Sequence, residues 1–239
     1  MPPLIFGICD EYSISSSACA NGFKLIFTST EKEKGVVNHV QKELVCFCEE
    51  LILKKPDKND IESELEVNRQ ISQSLRCLAK YFPLINDSKN GTNGFDLTAL
   101  FGAKQFWKLS RHKDSAIRSG FFQLGMVILQ QQTKEQPHLD AWSKVIFSAL
   151  GENEPVCVRP LWAAVLLLLR RSQTDDTIFE AVNFLKAFVP GLWSMLRGGA
   201  FGCGSIIYPH MLPLIANIPS TLAQPPFFDN FFTNFREGN

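Results

Sequence analysis

Lys113–Leu129, KDSAIRSGFFQLGMVIL, and Glu154–Leu169, EPVCVRPLWAAVLLLL, are two versions of one local pattern. Each has an acidic residue near its start, a β-branched residue beside an arginine, then an aromatic residue and a long apolar run. Setting Arg118 on Arg159 also sets Ile117 on Val158 and Phe121 on Trp162, at a constant offset of 41 residues. A repeat of that length built on helical spacing predicts helix pairs stacked in a row, because a single pair cannot bury its own apolar face.

The text on either side has the same grammar. Val37, Val40, Leu44, Phe47 and Leu51 step by three and four residues, which gathers them on one helical stripe. Thr30-Glu31-Lys32-Glu33 has the form of a capping box ahead of that helix. Ile71, Leu75, Leu78 and Phe82 form a second stripe, which Pro83 is expected to end. Ile117, Phe121, Leu124 and Ile128 form a third, and Ile178, Val182, Leu185, Val189 and Leu192 a fourth. No stretch alternates with period two for long enough to make a strand. The expected fold class is therefore all-α, a HEAT/armadillo-like helical-repeat solenoid.

Turns are expected at KKPDKND (54–60), Gly151–Pro155 and Ser172–Asp176. NDSKNGTNG (86–94) is the most loop-like segment and is expected to be partly mobile. Gly198, Gly199, Gly202 and Gly204 precede a helix holding Ile206, Ile207 and Leu212, with Pro209 and Pro213 expected to kink it or break it into short pieces. With the same pattern on both sides of 86–94, residues 1–239 read as a single HEAT-like segment. The apolar opening of residues 4–27 and the five phenylalanines of FFDNFFTNF (227–235) lack the polar outer face of terminal repeats, so the chain reads as cut from a longer array, or else both ends fold back on the core.

Composition narrows the function classes. Formal net charge is zero, so the chain as a whole lacks the electrostatic signature of a nucleic-acid or membrane binder. The seven cysteines are odd in number and scattered, which reads as reduced core residues in the cytosol or nucleus rather than a disulfide framework. MPPLIFGICDEY has no basic leader. The most apolar run, Leu161–Leu169, falls far short of the ~20 residues that cross a bilayer and reads as a buried helix, with no membrane partner expected.

Most candidate chemistry fails on spacing. Gly204-Ser205 lacks the lysine of a phosphate loop, and the glycines there read as an inter-helix turn. Cys46 and Cys48 form only a CxC with no second pair, so no metal site is expected. His39, His112, His138 and His210 are far apart and lie in no catalytic motif. Asp175-Asp176 reads as a helix N-terminus rather than an acid/base pair. No catalytic, cofactor-binding or metal residue is expected. One patch remains: KQFWKLSRHK (104–113) interleaves Lys104, Lys108, Arg111 and Lys113 with Phe106 and Trp107. Such a pattern is either a contact surface for RNA or an acidic partner, or a solvated face above buried aromatics.

At these residues the chain resembles a known family. KQFWKLSRHKDSAIRSGFFQL (104–124), EPVCVRPLWAAVL (154–166) and GLWSMLRGGAFGCGSIIYPHMLPLIANIP (191–219) resemble the N-terminal region of listerin, the RING-type E3 ubiquitin ligase family. FFDNFFTNF (227–235) and CDEYSISSSACANGFKLIF (9–27) are similar at corresponding places, so nearly the whole chain is covered in order. The resemblance implies a long HEAT-type solenoid acting in ribosome-associated quality control. Its implied partners are the large ribosomal subunit holding a stalled peptidyl-tRNA, nuclear export mediator factor, and, through the RING, a ubiquitin-conjugating enzyme. It places zinc only in that RING, for which this chain has no cysteine and histidine pairs. It also suggests that the chain begins after the first repeats of the family.

Three functions follow as expectations. The first is a docking arm of a listerin-like ligase, which binds the ribosome and a cofactor protein and does not catalyse. The alternative is a generic HEAT-like adaptor that binds protein partners on a concave face. A compact α-helical enzyme requires distant polar groups to converge in one pocket, and the scattered histidines make it the weakest.

Overall fold

A computed structural model describes residues 2–27, 30–55, 61–86, 96–130, 138–174, 184–197 and 204–237. The fold is all-α and helical-repeat-like, with no strand among the described residues. The helices are α1 (Pro2–Gly7), α2 (Ser13–Ile26), α3 (Thr30–Leu53), α4 (Ile61–Asn86), α5 (Thr98–Gly102) and α6 (Lys104–Lys108). A 3-10 turn at Leu109–Arg111 leads into α7 (Ser115–Gln130), then α8 (Leu139–Ser148), α9 (Pro155–Thr174), α10 (Phe188–Arg197), α11 (Gly204–Ala216) and α12 (Pro225–Glu237). They group into two compact units, Met1–Gln131 and Gln132–Asn239.

In the first unit α4 is central, packed on α3 and on α7. Its stripe is buried as the spacing predicts, with Ile71, Leu75, Leu78 and Phe82 all inside. Facing it, Ile117, Phe121 and Leu124 of α7 are completely buried. Removing a side chain of this size from water contributes roughly 1.5–3 kcal/mol. The two helices approach closely at Gly120, where a Cβ would lie 3.0 Å from the Leu75 Cβ. On α3 the buried stripe runs through Val37, Val40, Leu44, Val45, Cys48 and Ile52, with Phe47 half-buried and edge-on to Phe6 at 5.1 Å.

The second unit is built around α9, which touches α8 and α11, while α10 touches α8 and α12. Leu161, Trp162, Val165, Leu168 and Leu169 are buried, so this run is a core helix. The 41-residue correspondence holds in depth. Ile117 and Val158 are both fully buried, as are Phe121 and Trp162. The arginines differ: Arg118 donates to the carbonyls of His112 (2.8 Å) and Lys113 (3.1 Å), whereas Arg159 is exposed.

Four sequence expectations are corrected. Pro83 does not end α4, which continues to Asn86. Only a turn remains to be held there, and the buried Tyr81 and Phe82 anchor it. Of the two outcomes expected at Pro209 and Pro213, a kink or a break, the break does not occur: α11 is one helix with Leu212 on its exposed side. The prolines are four residues apart, so the lost hydrogen bonds fall on one face while Met211 and Leu214 pack on the other. The fourth stripe holds at its last residue, Leu192, which is buried, but slips before it: Leu185 is exposed, Val189 is half-buried, and Phe184 and Phe188 take the buried places. The C-terminal phenylalanines are largely tucked in, with Phe227 and Phe231 buried against Trp193 (5.1 and 6.4 Å) and only Phe232 exposed.

Several expectations lie outside the described residues: the Thr30, Glu31 and Glu33 side chains of the capping box, 56–60, 87–94, Asp175, Asp176, Ile178, Val182, Gly198, Gly199, Gly202 and the side chains of Ile206 and Ile207. The turn expected from Ser172 starts later, since α9 runs to Thr174 and Ser172 donates from Oγ to the carbonyls of Leu168 and Leu169. No helix among the described residues is long and apolar enough to cross a membrane.

Candidate functional site

The basic segment folds as a short helix, a 3-10 turn and the lead-in to α7, and its two kinds of residue separate cleanly. Phe106 is fully buried, Leu109 is 8% exposed, and Lys104, Lys108, Arg111 and Lys113 are all exposed. Phe106 sits 5.6 Å from Phe101 and 5.1 Å from Phe121. Trp107 is half-buried against the same rings, edge-on to Phe106 at 5.2 Å, and its Nε1 donates to the Phe101 carbonyl at 2.9 Å. Gln105 Nε2 donates to the Leu53 carbonyl at 3.0 Å, which ties α6 to the end of α3. Ser110 Oγ donates to the Trp107 carbonyl at 2.9 Å and tightens the turn.

The aromatic rings are therefore structural, and the cations ride above them. Such a surface can neutralise phosphate or carboxylate charge, but its aromatic residues are spent on the core rather than on stacking bases. Lys113 also forms an ion pair with Glu64 of α4. That partner had no local signal in the sequence, being 49 positions away. It leaves Lys104, Lys108 and Arg111 as the more available charges.

His112 closes the patch without adding a cation. Burial pushes its pKa below the usual histidine value, with Asp114 pulling the other way. Its Nδ1 accepts from the Asp114 backbone N–H at 3.1 Å, a bond that protonation there would break. Asp114 Oδ1 in turn accepts from the Ala116 N–H at 2.8 Å and caps α7.

The remaining candidates fall apart on inspection of their surroundings. Cys46 is exposed and Cys48 buried, as two positions nearly opposite on a helix must be. The bond to Cys77 and burial push the Cys9 thiol upward, while Cys77 is raised by its bond to Cys48 and by burial, with the bond to Cys9 pulling it the other way. Among the described residues no group of three His, Cys, Asp or Glu is placed to hold a metal ion. His39 is exposed on α3, His138 precedes α8 with a left-handed backbone (φ 68), and His210 stacks on Trp162 at 5.6 Å.

An all-α, helical-repeat-like protein with a charged surface and no assembled catalytic constellation among its described residues is the class these features define. The comparisons then give the family. The family of the N-terminal domain of the E3 ubiquitin-protein ligase listerin matches residues 1–218, and the chain belongs to that family. It is 29% identical to the E3 ubiquitin-protein ligase listerin of Xenopus tropicalis, over 96% of this chain and 14% of the relative. Listerins of Gallus gallus and Mus musculus are each 26% identical over 96% of this chain and 13% of their own length. The chain thus spans about one seventh of the length of the curated relatives it matches. No solved structure matches it.

Proposed function

We propose that this chain is a docking segment of a listerin-type E3 ubiquitin ligase. In this reading it binds large ribosomal subunits that retain a stalled nascent chain, together with nuclear export mediator factor, in the cytosol. Ubiquitin transfer belongs to a zinc-bearing RING and its ubiquitin-conjugating enzyme, to which residues 1–239 contribute no catalytic group. The two compact units act as parts of one HEAT-like segment. The match of the listerin N-terminal domain over residues 1–218 is the observation that supports this most.

Lys104, Lys108, Arg111 and Lys113 are the residues we assign to contact with the phosphate backbone of ribosomal RNA. They are exposed on one short stretch that Phe106 and Leu109 anchor in the core. Contact of this kind is salt-dependent, since each neutralised phosphate releases counterions.

Co-sedimentation of the chain with purified large ribosomal subunits tests both statements. Binding that weakens with rising salt is expected. Replacing Lys104, Lys108 and Arg111 together by alanine should lower the slope of log affinity against log salt by about 2–3, with the thermal melt unchanged. Failure to co-sediment at low salt overturns the docking reading. Binding with an unaltered slope in the triple variant removes the patch from it.

A further inference from the structure

Three thiols from three elements meet inside the first unit. Cys9 lies in the turn after α1, Cys48 on the buried stripe of α3, and Cys77 on α4. Cys77 is hydrogen-bonded to both of the others. The meeting is a product of the fold, since the three positions are 39 and 29 residues apart. It follows from the packing of α1 on α3 and α4, and of α3 on α4.

A single buried cysteine packs as a small apolar residue and is inert. Three in mutual contact differ, because a sulfur that loses electrons has a second thiol already beside it. The three are also unequal. Cys48 and Cys77 have no exposed surface, whereas Cys9 is 7% exposed. The bond to Cys77 and burial hold the Cys9 thiol above its ordinary value, while Lys80 and Arg76 of α4 pull the other way. Arg76 is shared with Glu11 at 3.6 Å, and Lys80 stands over the Tyr81 ring with its end exposed.

The element that covers the cluster is the least self-sufficient of the three. α1 is six residues long, too short to hold itself as a helix. Its closure rests on Ile5 in the core, on the Phe6 ring against Phe47, and on Gln73 Nε2 donating to the Phe6 carbonyl at 2.9 Å. Opening there precedes opening of α3 or α4, and it brings Cys9 to solvent first.

We propose that Cys9, Cys48 and Cys77 form a peroxide-responsive disulfide site, in which Cys9 is oxidised first and Cys77 closes the bond. The Cys9 thiolate attacks one oxygen of hydrogen peroxide and the O–O bond breaks. The sulfur becomes a sulfenic acid, and the other oxygen leaves as water after taking up a proton. The Cys77 sulfur then displaces the sulfenic oxygen, which departs as a second water carrying the Cys77 proton. Two thiols and one peroxide thus give one disulfide and two waters, with two electrons passing from sulfur to peroxide oxygen. Cys48 is placed to continue by exchange: its thiolate attacks the Cys77 sulfur and releases Cys9, which takes up the proton Cys48 gave. The first bond ties the end of α1 to α4, and the second ties α3 to α4. Each closes a loop that the reduced chain leaves open, so the oxidised form melts higher. None of these residues belongs to the basic patch, and the proposal does not depend on the ribosome-docking reading.

The test uses the full 239-residue chain carrying Cys19→Ser and Cys46→Ser, which removes the half-buried thiol beside Gly7 and the exposed one. After treatment with hydrogen peroxide and then an alkylating reagent, trypsin releases Cys9 in 1–24, Cys48 in 43–54 and Cys77 in 77–80. Each cross-link therefore has its own mass. The expected products are 77–80 joined to 1–24 and to 43–54, both lost on reduction with dithiothreitol. The melting temperature should rise on oxidation and return on reduction. Cys77→Ala should abolish both cross-links, and Cys9→Ala should slow the Cys48–Cys77 bond by about tenfold or more. A Cys77 thiol that stays free to alkylate while peroxide consumes Cys9 overturns the proposal, as do cross-links that form only in urea. Equally fast closure without Cys9, or a lower melt in the oxidised chain, overturns it too. Peptide mapping of the parent chain needs no substitution in the cluster, so it decides even where Cys77→Ala fails to fold.

Discussion

His210 lies flat on Trp162, the two rings 4° from parallel, and burial alone pushes its pKa below the ordinary value of 6.5. His112 is shifted the same way, chiefly by burial. A histidine depressed in the folded state gains its proton first in the unfolded chain as pH falls. The unfolded state then binds more protons, so stability rises with pH through the window between the folded value and about 6.5. Stability should accordingly fall as pH drops below that upper limit. Glu49, raised by burial, opposes this from the acid side, because its folded form holds a proton that the unfolded carboxylate has lost. Replacing His210 by phenylalanine keeps a stacking ring and removes the titration. Urea midpoints compared at neutral pH and about one unit below the ordinary histidine value should therefore fall less in His210→Phe than in the wild type. An equal fall would mean that His210 titrates alike in both states.

At the scale of the helix, packing and propensity separate at the glycines. Gly22 lies inside α2 and Gly35 inside α3, each with open space where a Cβ would go. Alanine there should raise stability by about 0.5–1 kcal/mol each through the entropy of the unfolded chain. Gly120 sits at the α4–α7 contact, with Leu75 Cβ only 3.0 Å away, and Gly120→Leu should force the helices apart and lower the urea midpoint. If both classes of variant moved the midpoint together, the close approach would be wrong. The same distinction explains what could be read from the chain itself. The stripe 71/75/78/82 was legible because its apolar residues alternate with polar ones at helical spacing, whereas 117/121/124/128 lies on a helix apolar over most of its circumference, with Phe122, Val127 and Leu129 buried as well. The phase near 184–192 was not legible, since Phe184 and Leu185, or Phe188 and Val189, satisfy the spacing equally and only neighbouring rings such as Phe147 decide between them. The prolines of α4 and α11 misled for a related reason: a local rule about hydrogen bonds does not know what Tyr81 or Leu214 is packed on. The cations of the basic patch could be found locally. The Glu64 partner of Lys113 could not, because only the packing of α4 beside the start of α7 brings the two together.

Across the whole molecule, charge sums to zero, yet Lys104, Lys108 and Arg111 stand exposed together on one short stretch of the first unit. The thiols are distributed differently. Cys46 is exposed and Cys19 half-buried, whereas Cys9, Cys48 and Cys77 are buried in the first unit and Cys157 in the second. An alkylating reagent should therefore modify Cys46 immediately and the four buried positions only through opening of the structure, so that site-resolved mass spectrometry reads a rate at each. Modification of Cys48 as fast as its neighbour Cys46 would show that the apolar side of α3 is not covered. Otherwise every molecule carries its own stopwatches, one group in each half. The two halves can then be timed separately in rising denaturant with no dye, tag or engineered label, and whether they come undone in concert or in turn is written in the order in which sulfur is marked.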